Sequence, residues 1–152
     1  MKSLVDIVNE LRAYDAEREW FEFKENWFEA KTLGEYISAL SNSAAYEGKE
    51  MAYFVWGIND DTHEVVGTHF NPNQNVNEEP LKHFLARQIF PDIDFRFDEI
   101  TMENQRVVVL SIPKAKTIPT AYAEERFIRI GSSKEKLRKY AQKEHGIMTK
   151  EN

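Results

Sequence analysis

Residues 51 to 59 read M-A-Y-F-V-W-G-I-N, an almost unbroken apolar run rich in aromatic and β-prone side chains. A strand with one wet face alternates apolar and polar residues, so a run without alternation needs cover on both faces. It is also far too short to cross a membrane as a helix, which takes about 20 residues. The run predicts the centre of a sheet, and the rest of the chain must supply the two covers.

Four helical patterns are available to do so. Leu4, Ile7, Val8 and Leu11 recur at helical spacing behind Ser3, with Asp6 placed as in a capping box, which predicts a helix over 3–14. Thr32 is the expected cap of a second helix whose apolar face is Leu33, Tyr36, Ile37, Leu40 and Ala44. Asn77 is the expected cap of a third, carrying Leu81, Phe84, Leu85 and Ile89 and stopped by Pro91. A polar fourth helix is expected from Ser133.

Further strands are expected at 20–24, at 64–70 as the return of a hairpin through the N-D-D-T turn, and at 93–100 and 106–112 joined by M-E-N-Q. Another is expected over 121–131. Helices interleave with strands early and hairpins dominate late. The expected class is α/β or α+β: one domain over 1–152, with a mixed sheet, hairpins and about four flanking helices. The chain could be the N-terminal part of a longer one, or form a homodimer.

Composition narrows the chemistry. There is no cysteine, so disulfides, thiolate metal sites and cysteine nucleophiles are excluded. No apolar run approaches a membrane span and the first ten residues carry acids, so a cytoplasmic protein without membrane contact is expected. No G-x-x-x-x-G-K-[ST] run is present to cradle a nucleotide triphosphate. A net charge of −6 disfavours indiscriminate binding to nucleic acid, leaving a local basic patch as the route to it.

Two segments carry possible chemistry. In E-R-E-W-F-E-F-K, residues 17–24, strand alternation sends Phe21 and Phe23 one way and Trp20, Glu22 and Lys24 the other. Either this is a solvated edge, or Glu22 and Lys24 line a site. Asp60 and Asp61 follow the central strand, where they are turn formers or a third acid. Near the C-terminus, Arg126 and Arg129 lie on or near the final strand, and Lys134, Lys136, Arg138, Lys139 and Lys143 crowd the following helix against Glu135 and Glu144. This is either a solvated helix face or a receiver of phosphates beside the G-S-S turn. Trp20, Trp27 and Trp56 are packing residues or base-stacking platforms. His63, His69, His83 and His145 have no metal-ligand spacing.

Taken in order, E-F-K (22–24), I-S-A-L-S-N-S-A-A (37–45), F-V-W-G-I-N-D-D (54–61), V-V-G-T (65–68) and R-F-I-R-I-G-S-S (126–133) resemble the Schlafen-type Alba-like domain. That domain, also described as a divergent AAA family, occurs in bacterial transcriptional-regulator-like proteins; the likeness covers about 17–135. It departs at Y-E-G-K-E (46–50), where the family commonly has a glycine pair, and at Asn59, where it often has an aspartate.

The resemblance implies a DNA- or RNA-binding domain, with Lys24, Arg126, Arg129, Lys134 and Lys136 as the candidate contacts. For the members that cut RNA it implies a catalytic and metal-binding set of three carboxylates that falls on Glu17, Glu22 and, at the third position, Asn59 or Asp60, of which Asp60 is the acid. Such a set would take Mg²⁺ or Mn²⁺, since hard cations prefer oxygen ligands. A ligand-free interaction or oligomerisation domain is the third reading.

Overall fold

In the computed structural model, residues 2–149 are described. The apolar run forms strand β2 (Met51–Trp56), which lies inside a four-stranded sheet. Its neighbours are β1 (Phe21–Lys24), paired in parallel, and β7 (Gln105–Pro113), paired antiparallel, with β6 (Arg96–Met102) on the outer side of β7. One face, with Phe21, Phe23, Val55, Val107 and Val109, packs on Val8 and Leu11 of helix α1 (Leu4–Arg12). The other, with Phe54, Trp56, Val108 and Leu110, packs on Leu33, Ile37, Leu40 and Ala44 of helix α2 (Ala30–Tyr46). Burial on both faces is what the unbroken run required.

Helix α2 is the middle layer. On its far side lies a second sheet, in the order β10 (Ser133–Lys136), β9 (Glu125–Ile130), β8 (Ala121–Tyr122) and β5 (Ile89–Phe90). The small polar run Ser38, Ser41, Asn42 and Ser43 of α2 is buried against this sheet. Ser38 Oγ accepts from Phe127 N at 2.9 Å and donates to Thr120 O at 2.7 Å. Asn42 Nδ2 donates to Thr120 O and Phe127 O at 2.9 and 2.8 Å, and Ser43 Oγ accepts from Arg129 N at 3.0 Å. These side chains satisfy backbone groups of β9 that no strand pairs, so a helix takes the place of the missing neighbour. Two short strands, β3 (Asn75–Val76) and β4 (Glu79–Pro80), form a separate hairpin before helix α3 (Leu81–Ala86). Helix α4 (Ala141–Thr149) closes the far end through Ile147, packed with Ile128, Leu137 and Ala45. The architecture is mixed α+β, with four α-helices among the described residues.

Several boundaries differ from the sequence expectation. The cap of α2 is Glu29, whose carboxylate accepts from the amides of Lys31 and Thr32; Thr32 sits inside the first turn. Asn77 does not cap a helix, because Asn77 and Glu78 have φ of 51° and 66° and form the turn between β3 and β4; α3 starts after Pro80. Only Val65 of the expected 64–70 strand pairs, with Ile58. The reason is Gly57, at φ 106°, which bends the chain out of β2, and a Cβ there would lie 3.1 Å from Arg106 O. The expected 121–131 strand is a hairpin, turning at Ala123 and Glu124. The helix expected from Ser133 begins as strand β10, because the open side of β9 offers Ser133–Lys136 a ladder that helix propensity cannot match.

Gly34 marks how tightly the middle layer is packed. A Cβ at this position would lie 2.1 Å from Tyr122 Cε1, and Tyr122 is buried with its hydroxyl held by Gln88 Nε2 at 3.1 Å. Alanine in a helix interior ordinarily gains about 1 kcal/mol over glycine. Overpacking costs about 1–3 kcal/mol and a contact this short takes the upper end, so net of the helix gain Gly34→Ala is expected to destabilise by about 2 kcal/mol in urea unfolding. A variant as stable as the parent would show that the Tyr122 ring yields freely.

Candidate functional site

Side chains from the two sheets converge beside α2 in a buried cluster of charge. Glu22 pairs in register with Phe54, so its carboxylate points to the α2 side of the first sheet, as strand alternation predicts. Glu17, in the loop before β1, turns back to the same place, its Oε2 accepting from Phe23 N at 2.9 Å. Arg129 enters from β9, with Nη2 3.3 Å from Glu22 Oε1 and 3.9 Å from Glu17 Oε1. The Arg129 guanidinium carbon lies 5.7 Å from the centre of the Tyr36 ring on α2. Arg129 and Glu22 are both buried.

The electrostatics follow from this placement. Burial pushes the Glu17 carboxyl up to about 9, helped by its hydrogen bond to Glu22 and that residue's charge, while Phe23 N and Arg129 pull the other way. Glu17 is therefore protonated at neutral pH and Arg129 faces the Glu22 carboxylate at closer range. Burial also raises the Tyr36 hydroxyl, with Glu22 second among the causes.

Above this cluster runs a strip of alternating cations and rings. Lys24 Nζ is 5.9 Å from the Trp27 ring, Trp27 meets Tyr36 edge-on at 5.8 Å, and Lys134 Nζ lies 5.9 Å from Tyr36 and 5.4 Å from Phe127. Trp27, Tyr36, Lys24 and Lys134 are each partly exposed. Lys134 also reaches Glu35 at 2.8 Å. Residues more than 100 apart in sequence thus form one surface.

The other expected residues lie elsewhere. Asp60 is exposed in the turn beyond β2. Its neighbour Asn59 folds onto that turn, Oδ1 accepting from the amides of Asp61 and Thr62 at 2.9 Å, while Nδ2 donates to Glu25 at 2.9 Å. Arg126 pairs with Glu144 at 3.4 Å, and Lys136 and Arg138 share Glu125 at 3.7 and 3.6 Å. Arg126, Arg138, Glu125 and Glu144 line an open cleft of about 830 Å³ to which no residue of β1 contributes. Arg129, expected to meet phosphate on the surface, is buried and faces acids instead.

Among the described residues no three of His, Cys, Asp and Glu lie close enough to hold a metal ion. Of the set Glu17, Glu22 and Asp60, the structure joins two. Glu22 and Glu17 face Arg129 while Asp60 stands apart in the exposed turn, so two acids converge on a cation here instead of three acids around a metal. Sequence reasoning placed Tyr36 in the apolar face of α2 and missed its second role as the lid over Arg129. The available signal was Glu22 itself: an acid between Phe21 and Phe23 demands a cation if its face is buried, and Arg129 sits between Ile128 and Ile130 on a strand.

The profile of the family described as Schlafen, AlbA_2 matches residues 17–138. No curated protein matches the chain. Among solved structures, the crystal structure of the DIP2311 protein from Corynebacterium diphtheriae aligns with a TM-score of 0.53 at 17% identity, over 85% of this chain and 25% of that one. This chain therefore spans a quarter of that protein. The solution structure of the N-terminal domain of a protein from Nitrosomonas europaea, described as related to the ATP-dependent DNA helicase RecG, aligns with a TM-score of 0.52 at 22% identity, over 88% of this chain and 92% of that domain. At these identities the likeness concerns the fold. No described helix is long and apolar enough to cross a membrane.

Proposed function

Because the chain belongs to the Schlafen AlbA_2 family, we propose that it is a nucleic-acid-binding domain of a regulator-like protein and that the Lys24–Trp27–Tyr36–Lys134 strip is its contact surface. The carrying observation is the alternation of cation and ring along one partly exposed surface. Rings offer stacking to any base, worth about 1–3 kcal/mol each, while lysines meet the phosphates between them. The Lys134–Glu35 pair holds little back, since a partly exposed pair is worth about 0–1 kcal/mol and phosphate can replace the carboxylate. Support of a weaker kind comes from the Nitrosomonas europaea domain, whose parent is described by relation to a DNA helicase.

Labelled single-stranded and duplex RNA and DNA, titrated at about 50 mM salt, test this reading. Lys24→Ala with Lys134→Ala is expected to weaken binding at least about tenfold and to reduce the salt slope by about 1.4–1.8, two phosphate contacts' worth. Trp27→Ala should weaken binding while leaving the slope unchanged. Absence of binding to all four probes would reject the proposal; a loss confined to Arg126→Ala or Lys136→Ala would move the surface to the α4 cleft.

A second reading, phosphodiester cleavage, draws on the convergence of Glu17 and Glu22. It requires a third acid, which Asn59→Asp would place closest to Glu25. Cleavage of tRNA or single-stranded DNA that Glu22→Gln abolishes would favour it over binding alone.

A further inference from the structure

We infer that the open edge of β6 is an interface between two copies of this chain, joined antiparallel about a two-fold axis at Phe97 so that their first sheets become one. The inference is independent of the binding strip, since Lys24 stands on β1 at the opposite edge of that sheet.

Three observations carry it. First, β6 runs from Arg96 to Met102 and pairs on one side alone, with β7. The direction of its free backbone groups follows from the hairpin. Glu103 and Asn104 have φ of 49° and 62°, so they form a type I′ turn closed by the hydrogen-bonded pair Met102 and Gln105. Hydrogen-bonded pairs then alternate along the ladder, which turns the N–H and C=O groups of Phe97, Glu99 and Thr101 outward. The carbonyl of Arg106, opposite Thr101, agrees with this by accepting from Thr68 N on the side away from β6. Among the described residues, no backbone hydrogen bond from outside the β6–β7 ladder reaches β6. Second, side chains close other open ladders of this fold: Glu17 accepts from Phe23 N on β1, and Ser38 and Ser43 of α2 accept from Phe127 N and Arg129 N on β9. Strand β6 has no such cover, and its unbroken register contains no Lys, Pro or bulge to blunt the edge.

Third, the charges of β6 select the occupant. Directly opposed residues in a continuous sheet share a face, so the axis between two copies must set one residue opposite itself. Charges on an edge ordinarily keep copies apart, and most registers here obey that rule. An axis at Arg96, Asp98 or Glu99 sets like charges opposite each other, and one at Thr101 sets Glu99 against Glu103. An axis at Ile100 leaves the acids facing Thr101 and Met102. At Phe97 the result reverses, because each Arg96 then meets the second copy's Asp98. Phe97, whose backbone points outward, exchanges both hydrogen bonds with its counterpart. The two Arg96–Asp98 pairs therefore fall at non-hydrogen-bonded positions, where opposed side chains lie closest. Arg96 is free to turn toward the second copy, since its contact with Asp94 is long, 3.9 Å, between largely exposed side chains. On the α2 face, half-buried Phe97 gains a cross-strand aromatic partner. A strand marked in this way is complementary to itself, which is why the occupant is a second copy.

Sedimentation equilibrium of the whole chain, from about 5 to 500 µM in about 50 mM salt, tests this. One added strand is a small interface, so a dissociation constant of about 10–100 µM is expected. Arg96→Asp and Asp98→Arg each turn two attractive pairs into two repulsive ones, and each should weaken self-association at least about tenfold. Mixed in equal amounts, the two variants again set opposite charges across the axis and should associate about as well as the parent. A parent that stays monomeric to about 500 µM overturns the inference. So does association that either variant leaves unchanged, or a mixture that associates no better than the variants alone. Amide exchange on the parent reads the same edge without substitution: raising the concentration should slow Phe97, Glu99 and Thr101. Self-association that leaves those three amides unprotected would place the contact on another surface and overturn the inference.

Discussion

Asn42→Leu is expected to destabilise the fold by about 4 kcal/mol, enough to leave an ordinary domain marginal at 25 °C. Asn42 is fully buried, and its amide makes three hydrogen bonds to backbone: Nδ2 to Thr120 O and Phe127 O, and Oδ1 from Thr120 N at 2.7 Å. Leucine has a similar volume and favours helices, so neither a cavity nor propensity drives the change. What remains is three backbone groups stripped of partners in a dry interior, each costing about 1–3 kcal/mol. Ser41→Ala is the graded comparison: its hydroxyl donates to Pro113 O and meets Thr120 Oγ1, and its loss should cost about 1–2 kcal/mol. Urea unfolding measures both. An Asn42→Leu loss below about 1 kcal/mol would mean that water or a relaxed strand replaces the amide, and α2 would no longer count as the neighbour of β9.

That same polar run shows where sequence reading stops. I-S-A-L-S-N-S-A-A was legible as helix, and its apolar stripe Leu33, Ile37, Leu40 and Ala44 faces the first sheet as helical spacing requires. Ser38 and Asn42, on the opposite side of the same helix, meet backbone roughly 80 residues away. Nothing local marks a serine as buried. The alternation of Phe21 and Phe23 against Glu22 and Lys24 was legible because period 2 is a local rule. The cation facing Glu22 was not, since Arg129 arrives from the second sheet, which α2 holds beside the first. Strand β10 is the clearest case of context winning: S-K-E-K-L-R-K-Y suits a helix by composition, and only the free side of β9 makes its first half a strand. Asp60 sat at the right distance along the chain for a third acid. Gly57 and the turn that Asn59 builds put it in solvent instead.

Stability should fall as pH rises from 5 to 9, and Glu17 is the cause. Its folded-state value, about 9, lies well above the unfolded value near 4.5. A group whose value is raised by folding contributes stability fully below its unfolded value and loses it as pH climbs through the folded one. Between these limits the unfolded chain gives up the Glu17 proton and the folded chain keeps it, so each step upward favours unfolding. Taken whole, a shift of this size corresponds to about 6 kcal/mol. Glu17 is still 12% exposed along its side chain, and screening there leaves about 2 kcal/mol as the expected scale, or about 4–8 °C in melting temperature. Asp15 and Glu29, held low by hydrogen bonds from Arg18 and Thr32, are exposed and act below this window. Glu17→Gln keeps the shape and removes the titration. It should match the parent near pH 5, exceed its melting temperature at pH 8, and run nearly flat between. A parent curve that is level or rising from pH 6 to 9, or a Glu17→Gln curve with the parent's slope, would show that Glu17 is ionised in the folded chain. Arg129 would then sit between two carboxylates, and the acid pair would carry a net negative charge open to a second cation.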